Sequence, residues 1–120
     1  MPTEPVTEVR ILDKALCVVV QRRSLDETTT SALVDEVLTA AAATPRLPIV
    51  LDLTQVRFAP SVALGSLVRL STSFKLDGRP IALVGLDPRV RNAIRVTRLH
   101  QVLEIHDTLE QFLGSLSKPR

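Results

Sequence analysis

Few side chains in this sequence are of the type and spacing that chemistry needs. His100 and His106 are the only histidines; they stand six residues apart, flank an expected strand and have no Cys or second His at ligand spacing. They therefore read as ordinary, partly exposed side chains rather than as a metal pair or a general base. The four glycines, Gly65, Gly78, Gly85 and Gly114, are isolated, so neither a GxxxxGK nor a GxGxxG phosphate cradle is present. They fit one position inside a helix and three turn or cap positions. Asp52 falls at the end of an aliphatic strand, where α/β enzymes often place a carboxylate, but no second carboxylate or histidine is expected beside it. Its expected role is structural, as acceptor for the turn that follows. This inventory predicts no enzyme, no cofactor and no metal.

The segment with chemical content is the junction LDLTQVRFAPSVALGSLVRL, residues 51–70. An aliphatic strand ends at Leu53, Val56 and Phe58 lie in the connection, and a helix opens near Pro60 with the Ser61 hydroxyl in its first turn. Unpaired amides and the positive end of the helix dipole favour a negative charge there by about 0.3 to 1 kcal/mol, so a phosphate on Ser61 would be tolerated. Arg57 is close enough in sequence to pair with it. A common first-turn serine would look the same.

The elements that must position this junction can be read from periodicity. Val6–Leu12 alternates and is followed, across Asp13 and Lys14, by ALCVVVQ, predicting two antiparallel strands of which the second is buried on both faces. Thr28–Ala43 sets Leu33, Val34, Val37, Leu38 and Ala41 at helical spacing, and Pro45 and Pro48 end that helix. PIVLDL is then a central strand. Ser61–Leu76 carries Ala63, Leu67, Leu70 and Phe74 on one face and Ser66, Arg69 and Ser73 on another, with Asp77-Gly78 as the stop. PIALVGL is a strand, Pro88 opens a helix to about Thr97, VLEIHD is a last strand, and Thr108 caps a helix with Leu109, Phe112 and Leu113 inward. SLSKPR is expected to fray. The order ββαβαβαβα predicts an α/β fold with a mostly parallel sheet of about five strands and about four helices.

Composition narrows the function classes. At 120 residues with 45% apolar content the chain fits one domain with one core. Aromatics are 2%, all Phe, so the stacking platforms of single-stranded nucleic-acid binders are missing and no nucleic-acid partner is expected. Residues 1–56 carry a net charge of −3, residues 57–98 a net of +6 and the remainder −1. Much of the basic excess lies on the expected third helix, where Arg91, Arg95 and Arg98 recur at four and three residues with Arg89 nearby. This is either a face for an acidic partner or an anionic surface, or a solvated helix face. Cys17, alone and among Leu16, Val18, Val19 and Val20, reads as a buried hydrophobe in a reducing compartment. MPTEPVTE has neither a basic start nor an apolar stretch, and the run Ala15–Val20 is too short to span a bilayer, so a cytoplasmic protein without membrane insertion is expected.

The sequence also resembles the STAS domain family of anti-sigma factor antagonists and related domains of sulfate transporters. LDLTQVRF is similar to the family's strand ending Leu-Asp-Leu-Ser-Gly-Val, and Leu64–Leu70 to the start of its helix. DGRPIALVGLDPRVRNAIRVTRLHQVLEI and DTLEQFL resemble the later strand, helix and closing helix. The resemblance covers about residues 8–113, in the family's order, and implies a STAS fold spanning 1–120 with short flexible tails. In phospho-regulated members the helix opens Asp-Ser-Ser or Thr-Gly, and the first Ser is phosphorylated by a kinase that is also the anti-sigma factor. Here Pro60, Ser61, Val62 and Ala63 stand instead, so Ser61 matches the phosphoacceptor while the Asp, the second hydroxyl and the Gly are absent. The resemblance implies a non-enzymatic signalling module that binds a kinase-type anti-sigma factor through Arg57, Phe58, Pro60, Ser61, Val62 and Gly65. The alternative it implies is a stand-alone subunit of a lipid or anion transport complex.

Overall fold

The computed structural model describes residues 4–116. Strand β1 (Thr7–Ile11) runs antiparallel to β2 (Leu16–Val20), and β3 (Ile49–Asp52), β4 (Ile81–Val84) and β5 (Ile105–His106) follow in parallel, giving the spatial order β1-β2-β3-β4-β5. Helices α1 (Glu27–Ala43), α2 (Ser61–Leu76), α3 (Pro88–Val96) and α4 (Leu109–Leu116) connect or close the strands. This is the expected mixed α/β sheet, with its antiparallel strand at one edge.

Side-chain size sorts the two faces. Leu16, Val18, Val20, Ile49, Leu51, Leu53, Ile81 and Leu83 point toward α1, α2 and α3 and form the larger core with Leu33, Val37, Leu67, Val90 and Ile94. The alternate positions Cys17, Val19, Val50, Ala82 and Val84 are smaller and pack with Phe112 of α4. Strands β2, β3 and β4 need apolar residues on both sides because helices cover both, which is why their sequences are runs rather than alternations. Cys17 lies opposite Val50 and is 3% exposed, as its neighbours predicted.

Helix termini follow local chemistry. Asp26 caps α1 by accepting from the Thr29 N–H at 2.8 Å, and Asp87 caps α3 by accepting from the Arg89 N–H at 2.9 Å, with Pro88 in the first turn. Asp77-Gly78 ends α2, with Gly78 at φ 73°. The end of α1 is closed from a distance. Arg79 donates to the carbonyls of Ala41 (2.8 Å), Thr44 (2.6 Å) and Leu47 (2.7 Å), satisfying acceptors that the last turn of a helix leaves open.

Several expectations need correction. Leu38 was expected on the buried face of α1, but the buried stripe runs Thr30, Leu33, Val37, Ala41 and leaves Leu38 exposed. The last strand begins at Ile105 rather than Val102, because Leu99–Gln101 form a 3-10 turn and the Leu103 N–H bonds back to the Leu99 carbonyl at 2.9 Å. Gly114 lies inside α4, not in a turn or cap. Of the tail SLSKPR, Ser115 and Leu116 complete α4, the Ser115 hydroxyl donating to the Phe112 carbonyl, and residues 117–120 lie outside the described residues.

Candidate functional site

The connection from β3 to α2 is fixed at three points. At its start, Asp52 accepts from the Thr54 N–H at 2.9 Å and from the Thr54 hydroxyl, closing the turn in the structural role expected of this carboxylate. In its middle, Arg57 and Phe58 form a short parallel bridge with the segment before α1. The Arg57 and Phe58 N–H groups donate to the Arg23 carbonyl (2.7 and 3.1 Å), and the Leu25 N–H donates to the Phe58 carbonyl at 2.9 Å. The Arg57 guanidinium donates to the Thr54 carbonyl at 3.0 Å and to Asp87 at 3.3 Å, tying the connection to the cap of α3.

Gly85 makes the approach of the β4 end to this turn possible. It has φ 71°, and a methyl group there would come within 2.5 Å of the Thr54 hydroxyl oxygen. Both the backbone angle and the space exclude a side chain.

With its backbone N–H and carbonyl both bonded to the segment before α1, Phe58 sends its ring outward, 57% exposed, and the Arg89 guanidinium carbon lies 5.7 Å from the ring centre. One turn on, α2 opens at Ser61. Pro60 supplies no capping side chain, and the first intrahelical bond is Leu64 N–H to the Pro60 carbonyl at 3.0 Å. Ser61 is exposed beside Val62, which is 71% exposed. Gly65 follows on the next turn, half-buried, with Arg69 as the side chain that a methyl group would meet. Val62 and Ser66 also line a shallow groove of about 270 Å³ against Glu27, Thr30, Val34 and Asp35 of α1. The junction thus presents Phe58, Ser61 and Val62 as an exposed apolar and hydroxyl surface on a fixed backbone.

The structure divides the residues named from sequence differently from the way the spacing suggested. Arg57, read as a partner for a phosphate on Ser61, is engaged by Asp87 and Thr54. Arg89 belongs with Phe58 at the junction rather than with the other α3 arginines. Arg91 pairs with Asp107 at 2.7 Å, and together with Arg95 and His100 it lines a hollow over Ile94, Leu103 and Ile105. Arg98 does not continue the helical face. Helix α3 ends at Val96, and Arg98 has φ 60°, a left-handed residue that redirects the chain into the 3-10 turn. His106 sits 2.8 Å from Glu104 and against Phe112, and His100 is exposed. No group of three or more His, Cys, Asp or Glu side chains among the described residues could hold a metal ion. No helix among them is long and apolar enough to cross a membrane.

Asp87 was not singled out from sequence as a site residue, although Asp-Pro before an amphipathic run is a capping signal and could have drawn notice. What the sequence could not show is that its carboxylate reaches Arg57, thirty positions away.

Comparison with known proteins accords with this architecture. The family model for the STAS domain matches residues 7–112. The Thermotoga maritima protein TM1081 superposes with a TM-score of 0.79 at 21% identity, over 93% of this chain and 95% of that one. An anti-sigma factor antagonist from Mycobacterium paratuberculosis gives a TM-score of 0.76 at 25% identity, over 93% of each chain. The murine Solute Carrier 26 family member A9 anion transporter gives 0.71 at 16% identity, over 91% of this chain but only 19% of its own.

Proposed function

The chain belongs to the STAS domain family, and from that premise we propose that it is a non-enzymatic regulatory module that binds a protein partner through Phe58, Pro60, Ser61, Val62 and Gly65. The observation that carries the reading is the exposure of Phe58 and Val62 on either side of Ser61, on a backbone that the Ser24–Phe58 bridge and the Arg57–Asp87 pair hold in place. Large apolar side chains held rigidly in solvent lose little further freedom on docking, and such anchors dominate interface energetics. The partner class we propose is the kinase-type anti-sigma factor; likeness to the Mycobacterium paratuberculosis anti-sigma factor antagonist at 25% identity supports an anti-sigma factor as partner. Cytoplasmic placement goes with that partner.

Phosphorylation of Ser61 is the proposed control. The hydroxyl is exposed at the first position of α2, where the helix end favours an anion, so modification leaves the fold intact. With Arg57 engaged elsewhere, the added charge would stand unpaired in the contact and oppose docking. Arg91 and Arg95 offer a secondary contact for an acidic surface of the same partner. The transport-subunit alternative draws only on a shared fold, and no feature of this surface favours it.

The test is the affinity of a purified kinase-type anti-sigma factor for wild type and Val62→Asp. A charge in the centre of the contact should weaken binding by more than about tenfold with thermal stability retained, since Val62 is exposed. Equal binding would place the contact elsewhere.

A further inference from the structure

Strand β1 is a sheet edge whose outer side is self-complementary. Its even-numbered residues face β2 through their backbone groups. The Gln21 N–H donates to the Val6 carbonyl at 2.8 Å, the Leu12 N–H to the Ala15 carbonyl at 2.9 Å, and Glu8 and Arg10 lie opposite Val19 and Cys17. In an antiparallel ladder the alternate residues then turn their N–H and C=O groups away, so Thr7, Val9 and Ile11 present theirs at the edge. Glu36 of α1 takes the N–H groups of Val6 and Thr7, both at 3.0 Å. The outward groups of Val9 and Ile11 meet no partner among the described residues, and Ile11 is 65% exposed.

The sequence Thr7-Glu8-Val9-Arg10-Ile11 carries opposite charges either side of Val9 and is therefore self-complementary about it. Two copies paired antiparallel with a two-fold axis at Val9 set Val9 against Val9, Ile11 against Thr7, and Glu8 against Arg10 of the second copy. The Val9 pair exchanges both N–H···O bonds, and each Ile11 N–H meets a Thr7 carbonyl. Glu8 and Arg10 already form a two-pronged pair within the strand at 3.2 and 3.1 Å, and the two-fold extends it into a four-residue array of alternating sign. A slip of two residues either way would put Arg10 against Arg10 or Glu8 against Glu8, so charge selects one register. On the other face, Val9 and Ile11 line a mainly apolar groove of about 490 Å³ with Pro5, Ala40 and Ala43, Asp35 and Glu36 also in its lining, and it receives the corresponding side chains of the second copy.

We propose that β1 is a homodimerisation edge, joining two copies antiparallel about Val9 into one continuous sheet. It uses no residue of the Ser61 face. Pairing of so short a strand buries less than the roughly 1,000 Å² of a tight interface, which makes the dimer a weak one.

Sedimentation equilibrium from about 10 µM to about 1 mM tests this, those being concentrations at which a weak pair is visible. Wild type should show a concentration-dependent dimer. Arg10→Glu should raise the dissociation constant by about tenfold or more, and the double variant Glu8→Arg/Arg10→Glu, which restores opposite charges across the two-fold, should recover wild-type association. Val9→Pro removes an N–H that serves no bond among the described residues of one copy, so it should abolish the dimer with the circular dichroism spectrum retained. A chain that stays monomeric throughout, a dimer indifferent to Arg10→Glu and Val9→Pro, or a folded double variant that does not recover overturns the proposal.

Discussion

The guanidinium of Arg89, on the first turn of α3, lies over the exposed ring of Phe58, in the connection that leads into α2. The neighbouring pair Arg57–Asp87 spans the same gap at 3.3 Å. Two arginines thus join the β3–α2 and β4–α3 connections, Arg57 through its bonds to the Thr54 carbonyl and Asp87 and Arg89 on the surface with the ring.

Reversal of the surface charge separates these roles. Arg89→Glu should weaken partner binding several-fold at low salt, with the difference shrinking as salt rises, and should move the melting temperature by less than about 2 °C. Asp87→Ala should do the opposite in part, costing about 1 to 2 kcal/mol through the lost cap and the freed Arg57. Urea unfolding and a salt series of binding isotherms give both readings.

Arg79 predicts a stability effect that charge alone would not. Its guanidinium serves three carbonyls on or just beyond the end of α1 and lies 5.6 Å from the Phe74 ring centre, and burial lowers its pKa. Lysine keeps the charge but cannot present a planar fork to acceptors in three directions. Arg79→Lys should therefore destabilise the chain by about 2 kcal/mol in urea unfolding, nearly as much as Arg79→Ala.

Most of the fold was legible because its signals are local. Continuous aliphatic runs fixed β2, β3 and β4, Pro88 and Thr108 marked helix starts, and Ser61–Leu76 matched the helix to the residue. Ser61 was equally visible as a first-turn hydroxyl. What escaped depended on contacts between distant segments. Arg79 closing α1, Asp87 holding Arg57 and Arg89 over Phe58 join residues that no periodicity relates. Arg98 failed for a related reason, since extrapolating a helical face assumes that the helix continues, and two residues beyond Val96 the backbone is left-handed.

Cys17 reports on the small-residue face of the sheet. Burial pushes its thiol pKa up, with Asp52 adding in the same direction, so little reactive thiolate forms near neutrality. Native protein at pH 8 should react with a thiol reagent far more slowly than urea-unfolded protein. Cys17→Asp should cost about 3 to 5 kcal/mol by burying a charge that Arg10, opposite it but exposed and already paired with Glu8, offsets only weakly.

Asp26 gives a pH signature. The Thr29 N–H holds its carboxyl below the ordinary aspartate value of about 3.9, so the stabilisation is present above that pH and is lost as pH falls through the folded-state value. Asp26→Ala should melt several degrees lower than wild type at pH 7, and the two melting curves should converge as the cap protonates. Asp26→Asn, which caps without titrating, should keep most of the stability at both ends.

The proposed regulatory role of the face around Ser61 is tested most directly by isothermal titration of a purified kinase-type anti-sigma factor with wild type, Ser61→Ala and Ser61→Asp. The hydroxyl contributes at most about 1 kcal/mol, so Ser61→Ala should bind within about fivefold of wild type. Ser61→Asp should stay folded at the start of α2 and lose more than about tenfold in affinity, as the charge meets the apolar contact. Undiminished binding by a folded Ser61→Asp protein would contradict the account.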